Sequence, residues 1–298
     1  MHGWLILDKP VGLGSTQAVA AVKRALRDGG HPKVKVGHGG TLDPLASGVL
    51  PIALGEATKL AGRLLDSDKV YRFTIRFGEQ TDTLDAEGKV VATSAHVPGH
   101  RDVDDVLVRF RGPISQTPPA YSALKVDGAR AYDLARAGQE VSLATRDVTI
   151  FSLERVADGT DGEEGRETTL VAHVSKGTYV RSLARDIALA LGTVGHVTLL
   201  RRLKAGPFDL THAAPLDKWA QAGMGRGLEH HLLPLRAGLD DIPALSLTPD
   251  QAGALRVGRV LVGIDAADGV TLATLDDVPQ ALVEIGGGAV RVLRGFNL

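Results

Sequence analysis

The chain has 298 residues, of which 44% are hydrophobic and none is cysteine, and its formal net charge is −1. This length and composition suggest about two globular domains, and the absence of cysteine excludes a disulfide framework and thiolate metal sites. The first residues lack a secretory signal pattern and no apolar run reaches the roughly 20 residues that span a bilayer, so we expect a cytoplasmic protein without membrane contact.

Charge is unevenly distributed along the chain. Residues 176–204 contain six basic residues and one acidic residue, a net charge of +5. Residues 238–298 contain four basic and eight acidic residues, a net charge of −4. The basic segment fits a solvated helix face and a nucleic-acid-binding surface about equally well.

The first third of the chain predicts short strands and helices. GWLILDKPVG (3–12) predicts a buried strand, and the following periodic segment predicts a helix with Ser15 as its N-cap and DGG (28–30) at its end. VLPIAL (49–54) predicts a second strand and EATKLAGRLLDS (56–67) a short helix.

The middle of the chain begins with a clear strand pattern. In YRFTIRF (71–77) the residues of one face are all apolar and alternate with polar ones, which predicts a half-buried antiparallel strand: Tyr71, Phe73, Ile75 and Phe77. VDDVLVRFRG (103–112) predicts a helix. SALKVDGARAY (122–132) contains an Asp127-Gly128 turn, and AYDLARAGQEV (131–141) predicts a short helix that ends at Gly138.

Further along, TTLVAHVS (168–175) predicts a strand that leads into the helical segment YVRSLARDIALALG (179–192). Because strands and helices do not alternate regularly, the pattern indicates an α+β domain on a largely antiparallel sheet. We place this domain at residues 1–238. Short apolar runs separated by Gly, Asp and Pro predict a small β module at residues 239–298.

Common catalytic and cofactor motifs are missing from the sequence. GxxxxGK[ST], GxGxxG, HExxH, GxSxG and a complete EF-hand loop do not occur. We therefore expect neither a metal nor a cofactor.

A single carboxylate stands out in the glycine-rich stretch VGHGGTLDPLASGVLPIALGEATK (36–59). Asp43 precedes Pro44, so it fits an ordinary turn residue. It also fits a reacting carboxylate, because the small residues around it leave room for a bulky substrate. Spacing alone does not choose between these roles.

This stretch closely resembles the signature segment of the TruB family, the bacterial tRNA pseudouridine synthases. Gly14 and Gly39 stand where many members have a serine or threonine. Nearly all of residues 1–210 share the resemblance, through further segments in the family's order: LDKPVGLGS (7–15), LLDSDKVYRF (64–73), GEQTDTLDAEG (78–88), PPAYSALKVDGARAYDLARAG (118–138), SKGTYVRSLARD (175–186) and LLRRLKAGPF (199–208).

The resemblance implies a pseudouridine-synthase-like mixed sheet, largely antiparallel and flanked by helices, with a PUA-like C-terminal module. It implies conversion of uridine 55 in the TΨC loop of tRNA to pseudouridine, by base flipping and without a cofactor. The expected partner is the tRNA T stem-loop, with no protein partner and a monomeric chain.

Site residues follow by motif position. Asp43 corresponds to the catalytic aspartate, Tyr71 to the active-site tyrosine and Arg181 to the arginine that pairs with the aspartate. The carboxylate could attack ribose C1′, assist glycal formation or add to base C6. Residues expected to bind the substrate are His38, Lys59, Asp85, Tyr179, Leu200, Arg201 and Arg202. Core packing alone would also explain Tyr71 and Leu200, and surface exposure would explain His38 and Arg181.

Residues 118–138 correspond to an insertion that clamps the RNA loop. Its candidate contacts are Tyr121, Lys125, Arg130 and Arg136, although an ordinary hairpin and helix would look similar. Two other functions stay open: a non-catalytic RNA-binding protein or tRNA folding chaperone, and a pseudouridine synthase acting on another RNA, like the RNA-guided relatives.

Overall fold

The computed structural model describes residues 1–122, 124–126, 128–139, 141, 143–156, 166–224 and 228–298. Its helices are α1 (Ser15–Asp28), α2 (Ala61–Asp66), α3 (His100–Leu107), α4 (Ala131–Arg136), α5 (Val180–Ala190), α6 (Leu216–Met224) and α7 (Pro249–Arg256). Its strands are β1 (Gly3–Lys9), β2 (Val36–His38), β3 (Ala46–Leu54), β4 (Lys69–Phe77), β5 (Glu79–Thr81), β6 (Val90–Thr93), β7 (Gly112–Gln116), β8 (Lys125–Val126), β9 (Ala129–Arg130), β10 (Arg146–Arg155), β11 (Glu167–Val174), β12 (Gly195–Ala205), β13 (Phe208–Asp209), β14 (Ala214–Pro215), β15 (Ala244–Ser246), β16 (Leu261–Val262), β17 (Gly269–Leu275), β18 (Val278–Gly286) and β19 (Ala289–Gly295).

One large sheet organises the first 215 residues. Its main path runs β14-β1-β3-β12-β4-β11-β10-β7, with β2 paired to β3 and β13 paired to β12. The β1–β14 and β3–β12 pairs are parallel, and the neighbours of β4 and β10 are antiparallel. The predicted α+β fold with a largely antiparallel sheet is confirmed.

The alternating pattern of β4 determines the position of the first core. Phe73, Ile75 and Phe77 are buried against α5, where Leu183 and Ile187 belong to the same cluster. Strand residues two apart share a face, which is why this set packs together. We call this cluster the α5 core.

The other end of the sheet is buried on both faces. Leu5 and Leu7 of β1 pack with the apolar side of α1, in a cluster that we call the α1 core. Trp4 of β1 points the opposite way and packs with Leu272 and Leu282 of the C-terminal module. Successive strand residues face opposite sides of the sheet, and both sides are buried here. The sequences of β1 and β3 are therefore almost continuously apolar.

The start of α1 differs from the prediction. Gly14 is the N-cap and its backbone amide donates to Oε1 of Gln17 at 2.9 Å, so Ser15 is the first helical residue and not the cap. The Ser15 hydroxyl instead donates to the Leu42 carbonyl at 3.0 Å and accepts from the Leu42 amide at 2.8 Å. These two hydrogen bonds fix the position of the loop that ends at Asp43.

The C-terminal module is a separate five-stranded sheet in the order β15-β17-β18-β19-β16. Helix α7 packs on it through Ala252 and Leu255 and was not predicted, although Thr248 is a capping residue in sequence and in structure. The module's PUA-like character and the boundary at residue 238 stay predictions.

Lys59 joins the module to the large sheet. Its ammonium donates to Glu56 at 2.6 Å and to the Gly295 carbonyl at 2.9 Å, while the Asn297 amide donates to Glu56 at 2.9 Å. The charge of Lys59 is engaged at this junction, and its binding of the substrate stays a prediction.

Gly48 generates a prediction about stability. It lies in β3 beside Arg202 of β12 with φ of 100°, and a Cβ would overlap the Arg202 carbonyl. We expect Gly48→Ala to lower the free energy of unfolding by more than about 2 kcal/mol, from backbone strain and separation of the two strands.

Urea unfolding of Gly48→Ala should be compared with Gly286→Ala, because Gly286 has open space around its Cα and no positive φ. Equal stabilities of the two variants would contradict the close contact of β3 with β12.

Candidate active site

A cavity of about 310 Å³ opens where the α1 core and the α5 core meet. Tyr71 of β4 and Leu200 of β12 pack against both cores and form one wall. The 40–43 loop and residues 174–181, which connect β11 to α5, form most of the remainder. The volume lies at the lower end of the range for small-molecule sites.

Asp43 projects its carboxylate into this cavity. Its backbone carbonyl accepts a bond from the Ala46 amide at 3.0 Å, so the residue also begins a turn. Its Oδ2 lies 2.9 Å from Nη2 of Arg181, and its side chain is 43% exposed whereas that of Arg181 is 8% exposed. The backbone therefore makes the turn while the side chain offers an oriented carboxylate to the cavity.

Arg181 is fixed from behind by a second carboxylate. Its Nη1 donates to Asp85 at 3.2 Å and to the Thr83 carbonyl at 2.9 Å, and Nη2 donates to the Tyr121 carbonyl at 3.1 Å. Asp85 in turn accepts from the Thr83 hydroxyl at 2.6 Å and from the Glu87 amide at 3.1 Å. The guanidinium thus has a fixed position and a fixed orientation toward Asp43.

Arg202 fixes the loop that precedes Asp43. Its guanidinium is buried and donates to the carbonyls of Val49, Thr41 and Gly40 at 2.7, 3.3 and 3.3 Å. A planar group with several N–H donors can satisfy three carbonyls at once, which an ammonium on one carbon cannot do with the same geometry. The glycine-rich loop therefore has a defined position despite its small residues.

Comparisons with known proteins identify the family. The model for the TruB family pseudouridylate synthase N-terminal domain matches residues 26–180, and that for the tRNA pseudouridylate synthase B C-terminal domain matches residues 181–240. The chain belongs to the TruB family. Since pseudouridine synthesis is a rearrangement within one nucleotide, this TruB-family chain is an isomerase.

Two relatives are similar over nearly their whole length. The tRNA pseudouridine synthase B of Novosphingobium aromaticivorans is 63% identical, over all of this chain and 98% of that protein. That of Zymomonas mobilis is 58% identical, over all of this chain and 96% of that protein. Among solved structures, the Cbf5 chain of a Cbf5-Nop10-Gar1 complex is 27% identical, with a TM-score of 0.73 over 99% of this chain and 85% of that one.

Several predicted residues of this TruB-family site do lie together. Asp43, Tyr71, Tyr179, Arg181 and Leu200 all line the cavity, and the expected ion pair of the aspartate with the arginine is present. Their roles toward a substrate stay predictions.

His38 does not line the cavity. It ends β2, and its Nδ1 is buried without a hydrogen-bond partner among the described residues. Burial, and secondarily the charge of Arg202, lower the pKa of its imidazole below the usual value of 6.5. A neutral ring follows at pH 7, and its contact with a displaced nucleotide stays a prediction.

Three residues predicted to contact the substrate are engaged within the protein, and their substrate contacts stay predictions. Asp85 is buried behind Arg181 and positions that arginine. Arg202 lines the cavity but is only 1% exposed, because its guanidinium is occupied by the carbonyls of the 40–43 loop and β3. Arg201 faces the other side of β12 and pairs with Asp8 at 2.8 Å. Adjacent strand residues point to opposite faces, so both arginines could not serve one RNA surface.

Lys69 is a cavity residue that sequence reasoning missed. It lies two residues before Tyr71 on the same face of β4, which was a usable signal. Its ammonium donates to the carbonyls of Leu64, Leu65 and Ser67, and burial followed by the nearby Arg202 charge lowers its pKa to about 8. It closes the end of α2 and brings positive charge beside the cavity.

The insertion at 118–138 contains the predicted hairpin, β8 with β9, and the short helix α4. Asp127 lies outside the described residues. Tyr121 packs edge-on against Tyr132 with ring centroids 6.0 Å apart, and the Arg136 guanidinium lies 4.5 Å from the Tyr132 ring centre. Clamping of RNA by this insertion stays a prediction.

Two absences hold for the part of the chain that the structure describes. No helix there is long and apolar enough to cross a membrane. Nor do the side chains there include a group of three or more His, Cys, Asp or Glu that could hold a metal ion.

The fork of Arg181 between two carboxylates generates a prediction about activity. Lysine at this position would keep the charge but reach one carboxylate at a time, so Asp43 would lose its fixed orientation. We expect Arg181→Lys to lower the single-turnover rate of pseudouridine formation in an RNA substrate about 100-fold, a barrier change of roughly 2.7 kcal/mol.

The matched control is Arg185→Lys on the same helix, because Arg185 pairs with Asp186 and does not contact the cavity. Its rate should equal that of the parent. A rate for Arg181→Lys within twofold of the control would show that catalysis does not need one side chain that contacts both carboxylates at once.

Proposed function

We propose that this chain converts uridine 55 in the TΨC loop of tRNA to pseudouridine, with Asp43 as the reacting carboxylate. The observation that supports this most directly is the half-exposed Asp43 carboxylate, fixed in the cavity by the buried Arg181 at 2.9 Å. The chain's family membership makes the reaction a pseudouridine synthesis, and the position within tRNA follows from the motif resemblance.

The reaction rearranges one nucleotide. The bond from ribose C1′ to uracil N1 breaks, the base rotates, C5 joins C1′, and the C5 proton leaves. No atom or electron is gained overall, so the balance needs neither an oxidant nor a second substrate. What the site must supply is an anion near C1′ or C6 and a wall that retains the loose base.

Asp43 meets the first requirement in three open ways. It can attack C1′ and form a covalent ribosyl intermediate, remove a ribose proton to give a glycal, or add to C6 of the base. In each case the nearby Arg181 keeps the carboxylate oriented through a charge-assisted hydrogen bond.

Tyr71 and Leu200 meet the second requirement. Both line the cavity and pack on the two cores behind it, so the wall is rigid. An aromatic ring can stack on a uracil that has left its loop, which offsets part of the few kcal/mol that base flipping costs. The Tyr71 hydroxyl is also a candidate to assist transfer of the C5 proton to solvent.

A tRNA substrate is supported by the names of the 63% and 58% identical relatives, both tRNA pseudouridine synthase B. RNA-guided action is the second candidate, since the 27% identical structural relative is a Cbf5 chain in a complex with Nop10 and Gar1. The far higher identity to the first group favours stand-alone action. The cytoplasmic location and monomeric state stay predictions.

The decisive substitution is Asp43→Asn, which keeps the shape and the turn but removes the anion. We expect single-turnover conversion of an unmodified tRNA transcript by the purified chain alone to become undetectable. Affinity for the transcript, measured by filter binding, should remain within about threefold, because other surfaces supply most contacts.

Asp66→Asn is the control, because Asp66 is an exposed carboxylate paired with Lys176 and its loss should leave conversion unchanged. If Asp43→Asn keeps activity within about tenfold of the parent, a barrier change of only ~1.4 kcal/mol, Asp43 is not the reacting group. If the parent binds tRNA but converts no uridine at position 55 without a guide RNA, the stand-alone function fails.

A further inference from the structure

A second cavity, of about 940 Å³, lies outside the active site. It is formed by the second half of α1 and by residues 31–36, which lead into β2, and it shares no lining residue with the active-site cavity. Leu26 and Val34 contribute to its apolar floor. We call it the basic groove, because six titratable basic side chains surround it: Lys23, Arg24, Arg27, His31, Lys33 and Lys35.

The positive charge of this groove is largely uncompensated. Residues 23–35 contain five basic residues and one acidic residue, a net charge of +4. The acidic residue, Asp28, pairs with its neighbour Arg27 at 3.1 Å. Among the described residues, no carboxylate lies within ion-pair distance of Lys23, Arg24, Lys33 or Lys35, and the Lys and Arg side chains of the groove are exposed.

This arrangement costs stability in the free protein. Lys23 and Arg24 lie four and three residues before Arg27, so three like charges occupy one face of α1, and each such pair destabilises a helix by roughly 0.2–0.5 kcal/mol. Basic residues near a helix C-terminus do complement the helix dipole. That effect explains Arg27 but not Lys33 and Lys35, which lie beyond the helix.

A short stretch of chain joins the groove to the active site. Strand β2 runs from beside Lys35 to His38, and the loop of residues 39–43 then leads to Asp43. Eight residues of fully extended chain span at most about 29 Å, so an RNA that extends this far from its reacting nucleotide has phosphates within reach of the groove. A nucleic-acid duplex offers a dense line of negative charge, about one per 1.7 Å of axis in DNA, which complements several cations in a row.

We propose that the basic groove binds the phosphate backbone of the tRNA substrate at nucleotides outside the T stem-loop. The inference rests on the proposed function for the identity of the RNA, and it adds a contact surface beyond the reacting nucleotide. Phosphate contacts position an RNA without reading its sequence, so the groove would serve any tRNA of the same shape.

The test is charge reversal in Lys23→Glu/Arg24→Glu, with binding of an unmodified tRNA transcript and of an isolated T stem-loop measured across NaCl concentrations. We expect affinity for the whole tRNA to fall at least tenfold. The slope of log affinity against log salt should become shallower by about 1.5, close to 0.7–0.9 for each lost phosphate contact. Affinity for the stem-loop and its rate of conversion should be unchanged.

The matched control is Arg101→Glu/Arg109→Glu, which changes the net charge equally at two exposed arginines, one on α3 and one in the single 3-10 turn that follows it, and α3 packs against β10 at the other end of the large sheet. Its tRNA affinity should stay near that of the parent. Lys33→Glu/Lys35→Glu repeats the test at residues outside the helix. If the α1 variant melts at a lower temperature than the parent, this second variant still shows whether the loss of charge weakens tRNA binding.

Three results would overturn the inference: unchanged tRNA affinity and salt slope in both groove variants, an equal loss for the stem-loop, or an equal loss in the α3 control. The proposed function fails separately. If the parent binds tRNA through the groove but leaves uridine 55 unconverted, the proposed function is refuted and the groove contact is not. If the parent converts uridine 55 fully and the groove variants bind tRNA as the parent does, the groove contact is refuted and the proposed function is not.

Discussion

The buried guanidinium of Arg181 is the interaction on which the site depends. A cation that is only 8% exposed needs compensation, and two carboxylates supply it, Asp43 from the cavity side and Asp85 from behind. Removing one partner of a buried ion pair typically costs 3–5 kcal/mol, so each member holds the others in place. Thr83 and the Glu87 amide fix Asp85, and Asp85 in turn fixes the Arg181 guanidinium. The guanidinium nitrogen that faces the cavity then determines where the Asp43 carboxylate lies.

A second buried arginine performs the corresponding task for the backbone. Arg202 binds the carbonyls of Gly40, Thr41 and Val49, and Ser15 binds Leu42 from the opposite direction. A loop made of small residues leaves space for a nucleotide but would lose that advantage if it moved. The two sets of hydrogen bonds hold the loop rigid without filling the space beside it. They also explain why the buried charge of Arg202 is tolerated, although an apolar side chain would cost less to bury.

Sequence patterns predicted what depends on neighbouring residues. The alternation of Tyr71, Phe73, Ile75 and Phe77 predicted both faces of β4, and the family resemblance predicted the pairing of Asp43 with Arg181. Contacts between residues far apart in sequence were not predicted by such patterns: Asp85 meets Arg181 across 96 positions, and the burial of Arg202 depends on a parallel β3–β12 contact that no local pattern indicates. Strand parity alone, however, already required Arg201 and Arg202 to point in opposite directions.

The positions of paired and unpaired cations explain how a chain with net charge −1 could bind a polyanion. In the +5 segment, Arg181, Arg185 and Arg201 each pair with a carboxylate, so its formal charge contributes less to the external field than the count suggests. The basic groove has a smaller count but few partners. Since exposed charges more than about 10 Å apart are largely screened at physiological salt, an approaching phosphate responds to the charges nearest to it and not to the net charge of the chain. Paired cations thus orient the Asp43 carboxylate, whereas the unpaired cations of the basic groove are those that we propose bind the RNA backbone.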